Sequence, residues 1–156
     1  MKQTVQMNNI QARMQPGVIS LEGFLGSDSR NLTDILNDDN GTVNSLKLTH
    51  QQIALRMLEF RDKGLAGLGE FISVAPHFEV RVDSVRGKMP CPFGDPGIFP
   101  KTNITVKNLK SDQEITFTDL NIHMVLVHGF YEGSGSHFRL EPVQLAAILE
   151  IIAADE

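Results

Sequence analysis

FEVRVDSV, residues Phe78 to Val85, is the stretch on which the fold turns. Phe78, Val80 and Val82 alternate with Glu79, Arg81 and Asp83. A period of two marks a strand with one face buried and one face wet. Upstream the period is close to 3.6: Ile53, Met57 and Phe60 recur at helical spacing, flanked by Ala54 and Leu58. Thr49 followed by Gln52 fits a capping box at the start of that helix, and Gly64 supplies its end. A helix therefore leads into a strand, and the rest of the chain can be read outward from this junction.

Glu70 to Val74 reads as a strand before Phe78, turning at Ala75-Pro76. Downstream, Asn103 to Leu109 places Ile104 and Val106 on one face, and Glu114 to Thr118 places Ile115 and Phe117 on one face. Lys110 to Gln113 makes the short polar loop between them. Between the two pairs lies MPCPFGDPGIFPK, Met89 to Lys101, whose prolines and glycines predict neither helix nor central strand. Thr118 or Asp119 can cap a helix over Leu120 to His128, with Gly129 at its left-handed end. Phe130 to Arg139 reads as a loop, its Gly133-Ser134-Gly135-Ser136 a flexible connector, and Pro142 opens a last apolar helix. Toward the N-terminus, Ser29 or Asp28 can cap a helix over Asn31 to Leu36, which Asp38 to Gly41 (DDNG) would end. Residues 1–17 read as a flexible tail closed by Pro16-Gly17. The expected fold class is α+β over residues 18–156: two N-terminal helices, a four-stranded mainly antiparallel sheet from two hairpins, and two C-terminal helices.

The chain has 156 residues, 41% hydrophobic and 21% charged, which excludes a disordered chain and gives no membrane span. Met1 to Gln15 lacks the apolar segment of a signal peptide, so a cytoplasmic location is expected. The formal net charge of -5 with scattered basic residues argues against nucleic acid as a partner. LTHQQIALRM, Leu48 to Met57, looks like the first helix of a helix-turn-helix, but no recognition helix follows it. The partner otherwise stays open, a protein or a second copy of the chain included.

The residues with chemistry to offer are Cys91, His123 and His128. A thiolate and two imidazoles suit zinc, which takes sulfur and nitrogen ligands in a tetrahedron. Five helical residues subtend about 140° on the wheel, so the two rings do not share a regular face. The cap at Gly129 would have to let them converge. Asp95 or His137 is the candidate fourth ligand, since no second cysteine follows Cys91. Tyr131 and Arg139 are expected to line the same region. The expected function is a small zinc-binding protein. Two other readings stay open: a metal-free interaction module using the apolar loop around Phe93 and Phe99, and a hydrolase-like enzyme using Cys91 or a metal-bound water.

PCPFGDPG, then a strand pair, then IHMVLVHGFYEGSGSHFRLEP resembles a family of small uncharacterised bacterial proteins. The same segments resemble metal-binding modules in which a Cys-Pro loop precedes a His-x-x-x-x-His-Gly-Phe helix end. The resemblance runs over roughly residues 18 to 152 and is densest from residue 86. It implies no known activity. For this chain it implies Cys91, His123 and His128 as ligands.

Overall fold

The computed structural model describes residues 3–153. Helix α1 spans Val5–Arg13, α2 Leu32–Ser45 and α3 His50–Gly64, with a 3-10 turn at Leu65–Gly67. Strands β1 Ile72–Val74, β2 Phe78–Met89, β3 Phe99–Asn108 and β4 Gln113–Thr118 follow, then α4 Asp119–His128 and α5 Pro142–Leu149. The α+β class and the four antiparallel strands stand. The helix count differs: three helices precede the sheet among the described residues, where two were expected.

The additional helix is α1, formed where a tail was expected. Thr4 caps it by accepting from the Met7 amide. Ile10 and Met14, four apart and so on one face, are buried. A Gln- and Asn-rich segment hides such a face because only two of its residues reach a core. Helix α2 also runs past its expected end, through Asp38-Asp39-Asn40-Gly41. Asp39 is the reason. It is buried and faces Arg139, whose two terminal nitrogens lie 2.6 and 2.9 Å from its oxygens. A long-range ion pair thus overrides a local breaking signal.

The four strands form one meander in the order β1-β2-β3-β4, all neighbours antiparallel. The two expected hairpins, β1–β2 and β3–β4, join through the β2–β3 pair. The central pair is the longest, with register from Phe78↔Asn108 to Met89↔Phe99 and a bulge between Val85 and Lys88. Both strands therefore run into the stretch predicted to be loop, and the proline-rich connection shrinks to residues 90–98. Met89 and Phe99 face each other at its base. This hairpin connection positions the candidate site.

One sheet face carries Phe78, Val80, Val82, Ile104, Val106 and Phe117 into a core with α3, α4 and α5. The alternation thus places these side chains as the sequence predicts. The other face holds Thr105 and Thr116, hydroxyls 3.0 Å apart. A second, smaller apolar cluster joins Ile10 and Met14, Phe24 and Leu25, Leu32 and Ile35, Cys91, and Leu120, Met124 and Phe130. Helix α4 lies between the two: Ile122 and Val125 belong to the first cluster, Leu120 and Met124 to the second. No helix among the described residues is long and apolar enough to cross a membrane.

Candidate metal centre

Helix α4 starts with a full capping box: Thr118 accepts from the Asn121 amide, and the Asn121 side chain accepts from the Thr118 amide. It ends at Gly129 with φ 63°, the left-handed cap that the sequence predicts. A side chain at Gly129 would also run into the His50 ring, 2.8 Å from the nearest ring atom. His123 sits inside this helix and His128 is its last residue.

The loop at the tip of β2 and β3 brings the other groups. The Gly94 amide bonds the Cys91 carbonyl at 3.0 Å and closes a tight turn over Cys91-Pro92-Phe93-Gly94. Arg13 of α1 donates to the Pro92 carbonyl at 2.8 Å and pins that turn from outside. Asp95 follows the turn, and one of its oxygens, Oδ2, accepts from both imidazoles, at 2.7 Å to His123 Nε2 and 2.5 Å to His128 Nε2.

Cys91, Asp95, His123 and His128 each offer one ligand atom, and these atoms all lie within 4.8 Å of one another. The two rings, about 140° apart on an ideal wheel, reach one point because a single acceptor stands between them. The ring centroids are 5.8 Å apart and nearly perpendicular, at 75°. Each ring is clamped on its flank. Phe93 stacks on His128 at 3.9 Å and 7°, and Phe99 tilts over His123 at 4.4 Å. Phe130 meets Phe93 edge-on at 5.5 Å.

The electrostatics follow from burial and these bonds. Hydrogen bonds from His128 and then His123 hold the Asp95 carboxyl below its ordinary value. Burial pushes the Cys91 thiol up, while the amides of Phe93 and Asp95 pull the other way. A buried thiol of raised pKa is the opposite of an activated nucleophile. That counts against Cys91 as an attacking group. Phe93 and Phe99 lie against the imidazoles, and Ile98 is 64% exposed.

Of the residues singled out in the sequence, Asp95 joins the cluster and His137 does not. His137 packs edge-on against Phe138. Tyr131 and Arg139 belong to another network, not to this region. The His50 Nε2 faces Asn40 Oδ1 at 3.0 Å and must donate, so Nδ1 accepts from the Tyr131 hydroxyl at 2.8 Å. Arg139 binds Asp39 and Glu141. The Gly-Ser connector is also tied down. Gly133 donates to the Phe24 carbonyl at 2.8 Å and Ser27 to the Ser134 carbonyl at 3.1 Å. A side chain at Gly133 would collide with the Leu25 backbone. Arg13 and the clamping roles of Phe93 and Phe99 were missed. An aromatic two residues after a candidate ligand is a weak signal, and Arg13 carries none.

No family model, curated protein or solved structure matches this chain.

Proposed function

We propose that this is a small metal-binding protein in which Cys91, Asp95, His123 and His128 hold one ion of the zinc class. The reading is carried by the convergence of one sulfur, one oxygen and two nitrogen donors within 4.8 Å. Zn–N, Zn–O and Zn–S bonds of about 2.0–2.3 Å put tetrahedral ligands about 3.3–3.8 Å apart, so the widest pairs must close by about 1 Å while the Asp95–imidazole pairs, at 2.5 and 2.7 Å, must open by about 0.6–0.8 Å. For one carboxylate oxygen to bond both rings, each Nε2 must carry a proton. Metal binding requires each proton to leave its Nε2, to solvent or to Nδ1, so that the lone pair there can bond the ion. Four protein donors fit a closed, structural site rather than an open catalytic one. Bound there, the ion would cross-link the β2–β3 loop to α4 and draw the buried thiol into its thiolate form.

Elemental analysis of untagged protein tests this reading. About one zinc per chain is expected. Cys91→Ser, Asp95→Asn and His128→Ala should each lose most of it, while His77→Ala and His137→Ala should keep it. Wild-type protein that takes up no zinc on titration ends the reading.

A further inference from the structure

Phe99, which tilts over His123, also lines a cavity of about 320 Å³. That is at the lower end of the roughly 300–1,000 Å³ of small-molecule sites. Phe24, Phe99, Leu120 and Phe138 supply apolar walls, and Ser136 and Glu132 are among its polar lining. Lys101 and Glu22, of opposite sign, are exposed residues that also border it.

Glu132 is the anomaly. It is 4% exposed, yet no Lys, Arg or His among the described residues pairs with its carboxylate. Arg139 approaches but donates to the Glu132 backbone carbonyl, at 2.8 Å. The carboxylate accepts only from neutral groups, Asn121 Nδ2 at 2.7 Å and Ser136 Oγ at 2.6 Å. A carboxylate has about four acceptor sites, so about two are left. The residue also sits at φ 67°, a left-handed backbone that side chains other than glycine rarely adopt. A buried carboxyl bonded directly only by neutral groups, with His137 and Arg139 near it but not in contact with it, and a strained backbone are both costly. They coincide at the wall of an otherwise apolar cavity, and neither is explained by packing. Such costs concentrate at working sites.

We infer that this cavity is a ligand site for a small molecule with a ring-sized apolar body and a protonated amine, the amine binding Glu132. The aromatic walls suit the body, and an ammonium group supplies the cation that the carboxylate lacks. This site shares the Phe99 wall with the metal cluster but none of its donor atoms, so it does not rest on the metal reading.

The test uses the full chain as purified and three probes: 2-phenylethylammonium, neutral 2-phenylethanol and anionic 3-phenylpropanoate. Calorimetry and amide shifts should show saturable 1:1 binding of the amine, with shifts centred on Phe99, Ser136 and Phe138. The alcohol and the carboxylate should bind at least about tenfold more weakly, the margin expected of a charge-assisted bond. Glu132→Gln keeps shape and hydrogen-bonding capacity. It should lose that tenfold toward the amine and nothing toward the alcohol, with unchanged near-ultraviolet dichroism and zinc content. The wild-type probe series stands even if the variant folds poorly. Equal binding of amine and alcohol, or no saturable amine binding up to about 10 mM, overturns the inference. Either result leaves the zinc content, and so the metal reading, to be judged separately.

Discussion

The two apolar clusters are built by different means. The larger is assembled from periodic elements: alternating residues of β2, β3 and β4 meet the apolar faces of α3 and α5. Backbone ladders fix its register before any side chain is counted. The smaller is assembled from α1, α2, the first turns of α4 and loop residues such as Phe24, Cys91 and Phe130. None of its buried residues lies on a strand, and only Met89 and Phe99, paired at the end of the β2–β3 ladder, pack against it from the sheet among the described residues. What ties it together is a set of point contacts: Arg13 to Pro92, the Gly-Ser segment to residues 24–28, and the four-donor cluster. One region is held by repetition and the other by individual bonds, and the candidate metal site stands where repetition is lacking.

The largest expected effect lies in the first region. Phe117, fully buried and paired with Ile104, should cost about 3–5 kcal/mol on truncation to Ala. Denaturant unfolding measures this, and Arg81→Ala on β2 should cost far less. Equal losses would show that the sheet faces are not differentiated as described.

Metal removal should act next, and regionally. Chelation, or Cys91→Ser, should speed amide exchange in α1 and residues 90–98, with the centre of β2 and β3 nearly unchanged. Uniform loosening of both regions would erase the contrast between them.

A smaller contrast concerns the two capping boxes, at Thr49 and at Thr118. Removing a capping hydroxyl costs about 1 kcal/mol. Thr118→Ala should exceed Thr49→Ala, because its partner Asn121 also holds the buried Glu132. The ratio of the two losses, from paired melting curves, sharpens the comparison.

The smallest effect should be a gain. Burial raises the Glu132 carboxyl above its ordinary range, against the pull of Ser136, Asn121, His137 and Arg139. The folded state then holds its proton at pH values where the unfolded state, at about 4.3, has released it. Its contribution is fully present below about pH 4.3 and is lost as pH rises through the folded value. Glu132→Gln should therefore raise the Tm at pH 7 relative to wild type and lose that advantage near pH 4. A Tm difference independent of pH would place the charge elsewhere.

The same contrast governs what the sequence discloses. Period-two alternation names Val80, Val82, Ile104 and Phe117 as inward-facing, and Thr118 and Gly129 mark the ends of α4 within a residue. Cys91, His123, His128 and Asp95 are legible as donors because their chemistry is unusual in so small a set. Their convergence is not legible, since it depends on Asp95 standing between two rings that helical geometry separates. Helix α1 and the continuation of α2 through Asp39 are hidden for a related reason. Each is decided by a partner far along the chain, Arg139 for Asp39 being the plainest case.

The docking of α1 has a consequence for synthesis. Arg13 and its acceptor Pro92 are 79 residues apart. At the usual elongation rates of about 5–20 residues per second, roughly 4–16 seconds separate their appearance. For that interval Ile10 and Met14 have only Phe24, Leu25, Leu32 and Ile35 of their cluster to pack on, and Leu120, Met124 and Phe130 are later still. The sheet meander closes between sequence neighbours and can form as it emerges. Helix α1 thus emerges well before the loop and helix that complete its pocket, and until then its apolar face is only partly covered.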